Sequence, residues 1–207
     1  MPDLWTWDDN VKRYRDPTGK FISAKNLISL RDEFLANRMT IVNSLADDLA
    51  TGKINIQQWT LSMRQEIKTA YMVEYELGIG GRNMMTFADF GSVGGQLSNQ
   101  YRYLNNFAEE IAKGNLSPAQ IQMRSRMYID SATQSFERAR SASMGMPQLP
   151  AYPGDGQTVC RSNCKCNWKI EEVEFGWNCY WKLGIAEHCD DCVTNSEIWN
   201  PLFVMRQ

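Results

Sequence analysis

Six cysteines, Cys160, Cys164, Cys166, Cys179, Cys189 and Cys192, are the residues of this sequence whose type and spacing point most directly to chemistry. All lie in the last 48 of its 207 residues. Five of them fall into two groups, Cys160-x3-Cys164-x-Cys166 and His188-Cys189-x2-Cys192. The 22 residues between Cys166 and Cys189 allow a hairpin that brings the groups together. Zinc takes four soft or borderline ligands in a tetrahedron, with thiolate sulfurs about 2.3 Å from the metal, and a Cys-x2-Cys turn supplies two of them. Clustered cysteines in an intracellular chain bind metal more often than they form disulfides; buried reduced thiols are the competing reading. The ligand set stays open at this point. It is drawn from Cys160, Cys164, Cys166, Cys189 and Cys192; Cys160 can replace Cys164 or Cys166, and His188 can compete with Cys189. Cys179, flanked by aromatic residues, reads as a packed apolar thiol.

The remaining residue types narrow the chemistry. His188 is the one histidine of the chain, which excludes two-histidine zinc motifs of the HExxH kind and HNH-type centres. A base deaminase would need an HxE motif, and there is none. A surplus of thiolates leaves no open coordination position, so the zinc is expected to be structural and the protein not an enzyme. Glu109-Glu110 and Glu171-Glu172 are sequence neighbours facing different directions and make no acid–base pair. The formal charge is −2, and from Ala151 onward five basic residues stand against eight acidic ones, the wrong sign for phosphate attraction. Arg124, Arg126, Arg138 and Arg140 are the one feature favouring a nucleic-acid adaptor, the alternative reading; a solvated helix face is the simpler account. The start, Met-Pro-Asp-Leu-Trp, is not an apolar leader, and no apolar run approaches the roughly 18 residues of a membrane span. The chain is therefore expected to be soluble, made in the cytoplasm and independent of membranes.

These ligands must be positioned by the elements around them. Residues 1–22 read as an N-terminal arm in which Tyr14 to Phe21 turns between two short extended pieces, packed on the body or reserved for a neighbouring subunit. Residues 23–146 carry helical periodicity in four runs. Leu27, Leu30, Phe34, Leu45 and Leu49 mark the first, and Ile56, Trp59, Met63, Ile67 and Tyr71 the second. The second ends at Gly78-Ile79-Gly80-Gly81, a helix stop rather than a phosphate cradle, since no GK[ST] follows. Thr86 or Asp89 caps the third run. Ser117-Pro118-Ala119-Gln120 is a capping box opening a fourth helix that is expected to continue to about Ser143. Residues 147–156, with three prolines and two glycines, read as an extended linker ending in a turn. Residues 157–207 are expected to form the zinc-binding domain, with strands near Cys164 to Ile170 and Glu174 to Tyr180 and a closing turn over Ser196 to Phe203. Its tryptophans favour protein contacts, with core packing as the alternative. The fold class is thus α+β: an antiparallel bundle of about four long helices with a small C-terminal β-rich zinc-binding domain.

Several segments together resemble a family. They are Tyr14-Arg15-Asp16 with Thr18-Gly19-Lys20-Phe21; Gln100-Tyr101-x-Tyr103-Leu104-x2-Phe107-Ala108-x-Glu110-Ile111; Leu116-Ser117; and Met127-Tyr128. Leu149 to Gly156, then Cys160-x3-Cys164-Lys165-Cys166 and Glu187-His188-Cys189-x2-Cys192, complete the series. It is similar to minor head, or head morphogenesis, proteins of tailed bacteriophages of the Mu F-like type. The resemblance covers most of the chain, and the cysteine segment is its most specific part. It implies a structural virion component built into the head near the portal, in several copies, with portal or major capsid proteins as partners and no enzymatic activity.

Overall fold

The computed structural model describes residues 5–8, 10–11, 13–185 and 187–206. Parts of the expected arm (1–4, 9 and 12) and residues 186 and 207 of the C-terminal segment lie outside the described residues. The chain is α+β, with two small three-stranded antiparallel sheets flanking a set of helices. The first sheet comprises β1 (Thr6–Asp8), β2 (Arg13–Arg15) and β3 (Phe21–Ile22). Asp16 shapes the turn between β2 and β3 by accepting from the backbone N–H groups of Thr18 and Lys20. This sheet packs on the helices: Trp5 and Ile22 are buried against Val73 and Leu77, and the Tyr14 hydroxyl donates to the Leu77 carbonyl at 2.7 Å.

Helices α1 (Ala24–Ala50), α2 (Ile56–Ile79) and α3 (Phe87–Ala112) are long, and each start is capped by its own sequence. Ser23 caps α1. Asn55 with Gln58, and Thr86 with Asp89, form reciprocal capping boxes that satisfy the free N–H groups of a first turn. Helix α2 is the centre of the core. Trp59, Met63, Ile67 and Tyr71 are wholly buried there, against Val42 and Ala46 of α1 and Val93, Leu104 and Phe107 of α3. Leu30, expected in the α1 stripe, is instead exposed. Gly80 ends α2 in the left-handed conformation, and Gly81, also at positive φ, lets β1 approach: a Cβ there would sit 3.1 Å from the Trp7 nitrogen.

The expected fourth long helix is two helices, α4 (Pro118–Asp130) and α5 (Thr133–Ser143). The joint has a local cause. The hydroxyls of Ser131 and Thr133 donate to the carbonyls of Tyr128 and Asp130, while Ala132 and Ser135 make i→i−3 bonds, so regular i→i−4 pairing stops there. No described helix is long and apolar enough to cross a membrane.

The second sheet comprises β4 (Asn167–Val173), β5 (Gly176–Lys182) and β6 (Leu202–Met205), with helix α6 (Asp190–Ile198) between β5 and β6. The closing turn expected over Ser196 to Phe203 instead holds the end of α6 and the start of β6, and the rest of α6 was not expected. The register pairs Trp168 with Trp181 and Ile170 with Cys179, so alternate residues of both strands share the inner face. Trp168, Trp177 and Trp181 are at most 3% exposed, and Trp199 closes over Trp168 and Trp181 at ring separations of 5.3 and 5.7 Å. Core packing, not partner contact, therefore accounts for these tryptophans.

The proline- and glycine-rich segment is extended as expected, yet it is no free linker. Ala151, Tyr152, Pro153 and Gly154 are buried. The Trp168 indole donates to the Ala151 carbonyl at 2.9 Å, and the Tyr152 hydroxyl accepts from the Leu149 N–H at 3.0 Å. Helix α5 joins the two parts: Arg138 stacks over Tyr152, Gln134 reaches the Gly154 carbonyl, and the nearly buried Glu137 carboxylate accepts the Trp168 N–H.

Candidate metal centre

The cysteines are carried by three short pieces of chain that the tryptophan core holds together. Cys160 and Cys164 bracket a single 3-10 turn over Arg161–Asn163, and Cys166 leads into β4. Cys189 is the N-cap of α6, with Cys192 in that helix's first turn. The Val159 N–H donates to the Asp191 carboxylate at 2.8 Å and clips the first piece to the start of α6. Helix α6 is not among the elements expected from the sequence; the negative pair Asp190-Asp191, suited to a helix N-terminus, is the signal that could have found it.

Sulfur geometry carries the assignment. The Cys192 Sγ lies 3.6 Å from Cys160 Sγ and 3.6 Å from Cys164 Sγ, and all three sulfurs lie within 4.8 Å of one another. A disulfide would place two sulfurs near 2.05 Å. Four thiolates around one ion at about 2.3 Å stand about 3.8 Å apart along the tetrahedron's edges. The observed spacing excludes disulfides and is compatible with a metal site. Cys189 borders the same cavity, and its sulfur interacts with Cys160 and Cys192. Cys166 and His188 also line the cavity, and they, like Cys189, stand outside the group of three sulfurs within 4.8 Å. Cys179 is fully buried in β5 and takes no part, as the sequence suggested.

The electrostatics of the group call for a cation. Burial pushes the Cys164 thiol up to about 12, against a stabilising N–H from Cys166. Burial, then the neighbouring thiols of Cys164, Cys189 and Cys160, push Cys192 far higher. For Cys189, burial also works upward, but N–H groups of Cys192 and Cys160 hold the thiol below its ordinary range and favour thiolate. Without a positive ion the raised thiols of Cys164 and Cys192 stay protonated; releasing their protons together would need a cation among the sulfurs. The enclosed space is about 20 Å³, enough for one ion and too small for a substrate.

The arginines of α4 and α5 have partners of their own. Arg124 pairs with Glu110, and Arg126 donates to the Asn43 side chain at 2.6 Å. Arg138 stacks on Tyr152, and Arg140 pairs with Glu137 at 3.4 Å. They are distributed over two helices and used within the fold. The chain matches no protein-family model, no curated protein and no solved structure.

Proposed function

We propose that the C-terminal part closes around one structural zinc ion held by Cys160, Cys164, Cys189 and Cys192, and that the chain is a non-enzymatic structural component of a tailed-phage head, placed near the portal. The observation that carries the metal reading is the three-sulfur cluster, with Cys192 Sγ 3.6 Å from each of Cys160 and Cys164 and all three within 4.8 Å, beside a cavity of about 20 Å³. A site with four thiolates and no room for a substrate suits folding rather than catalysis. Cys166 and His188 stand next to the ion without binding it. The head reading is supported by the resemblance of the motif series, above all its cysteine segment, to minor head proteins. Portal or major capsid proteins are the expected partners, with the chain present in several copies. The engagement of Arg124, Arg126, Arg138 and Arg140 within the fold weakens the nucleic-acid adaptor.

Two measurements test the two halves separately. Elemental analysis of the purified chain is expected to give one zinc per chain, lost in Cys192→Ser and kept in Cys166→Ser and Cys179→Ser. Zinc retained in Cys192→Ser would overturn the ligand set. Mass spectrometry of purified virions and proheads of the phage encoding the chain is expected to find it; absence from both would overturn the head assignment.

A further inference from the structure

A second feature lies on the other side of the Cys160–Cys164 turn. A cleft of about 440 Å³ opens between α3, α4, the turn at residues 154–156 and the 3-10 turn. Tyr103, Tyr128, Arg124 and Arg161 are among its lining residues. This volume falls in the range of small-molecule sites, about 300–1,000 Å³.

Three observations indicate an anion there. Arg161 is the one described non-glycine residue at positive φ, +49°, a conformation that costs free energy and recurs at ligand clamps. Its side chain is exposed, and no carboxylate pairs with it among the described residues. Ser162 beside it is 6% exposed and borders the cleft, and its hydroxyl has no hydrogen-bond partner among the described residues. A buried hydroxyl without a partner is costly unless something completes it. The single acid in the lining, Asp155, has both oxygens committed, accepting from the N–H groups of Tyr152 at 2.7 Å and Gln157 at 2.9 Å. Arg124 is held by Glu110 in an exposed pair, and pairs of that kind are weak enough for a ligand to displace.

We propose that this cleft binds a small planar organic anion of nucleoside-monophosphate chemistry. Its phosphate lies between Arg161, Arg124 and the Ser162 hydroxyl, and its ring lies on Tyr103 and Tyr128. The strained backbone at Arg161 is what presents the guanidinium to the cleft. The site requires the folded Cys160–Cys164 turn but not a role in head assembly.

The test is titration of the full, metal-loaded chain with AMP, UMP, adenosine, inorganic phosphate and a short single-stranded oligonucleotide, read by calorimetry and amide chemical shifts. A nucleoside monophosphate is expected to bind with Kd below about 1 mM, tighter than adenosine or phosphate alone, shifting amides near 103, 128, 154–156 and 161–162. Arg161→Gly is expected to raise the melting temperature, because glycine accepts the positive φ, while weakening binding about tenfold or more. Glu110→Gln, which frees Arg124, is expected to tighten binding. No saturable binding, equal affinity in Arg161→Gly, or a preference for the oligonucleotide over mononucleotides would each overturn the proposal.

Discussion

Asp89 shows how one side chain serves two structures. Its carboxylate accepts from the Tyr75 hydroxyl at 2.6 Å and from the N–H and hydroxyl of Thr86 at 2.7 and 2.6 Å, capping α3 while tying it to α2. Burial works to raise its pKa, but the hydrogen bonds from Thr86 and Tyr75 prevail and hold it below the usual carboxylate range. A group whose folded pKa is depressed stabilises the fold above its unfolded pKa, and that contribution is lost as the pH falls through the folded value. Asp89→Asn is therefore expected to cost about 1.5–3 kcal/mol in denaturant unfolding at pH 7, with the gap to wild type narrowing near pH 3. An equal gap at both pH values would contradict this. Glu74 is wholly buried in α2 and bidentate with Arg31 of α1, at 2.8 and 2.9 Å from its Nε. Burial pushes the Glu74 carboxyl up, and the guanidinium holds it back. Arg31→Ala strands that carboxyl in the core and is expected to cost about 3–5 kcal/mol, with Arg31→Met/Glu74→Leu recovering much of the loss in a double-mutant cycle.

Among the elements, α5 has two jobs. One face lies against α2 so closely that a Cβ on Gly78 would stand 2.7 Å from the Ala139 Cβ and closer still to the Phe136 carbonyl. The helices cannot separate there without opening the core, since Ala139 is fully buried. Gly78→Ala is expected to destabilise by about 1–3 kcal/mol despite alanine's better helix propensity, measured as a shift in denaturation midpoint. A stabilised variant would show that α2 and α5 are not in register. The other face of α5 carries Gln134, Glu137 and Arg138 into the C-terminal part.

At the scale of the whole molecule, two hydrophobic cores meet along α5 and the buried segment before Cys160. The second core is small, and on the proposed zinc reading metal binding there would be folding energy, on the order of 10–16 kcal/mol for thiolate zinc sites. Chelation, or Cys192→Ser, is expected to remove the near-ultraviolet signal of the Trp168, Trp181 and Trp199 cluster. Hydrogen-exchange protection should fall over residues 147–206, while α2, α3 and the face of α5 packed on α2 stay protected by their shared core. Unchanged protection after residue 147 would show that the metal is dispensable; loss throughout α2 would show a single cooperative unit.

Much of this was legible along the chain because the physics is local. Caps such as Thr86 and Ser117 act within three residues, and the periodic stripes of α2 and α3 follow from helix pitch alone. The cysteine spacing likewise pointed, from two short turns, to a group whose sulfurs come together in a cluster compatible with a metal site. What needed tertiary structure were choices made by distant contacts. The sequence offered Cys160, Cys164, Cys166, Cys189 and Cys192 on equal terms; only the docking of α6 against the 3-10 turn set Cys160, Cys164 and Cys192 together and left Cys166 and Cys189 at the cavity's edge. The break between α4 and α5 depends on which carbonyls the hydroxyls of Ser131 and Thr133 take, and propensity does not encode that choice. Pro- and Gly-rich composition signalled an extended segment after Met146 but could not say that it is buried. Burial is set by what packs over it, here Trp168 and α5.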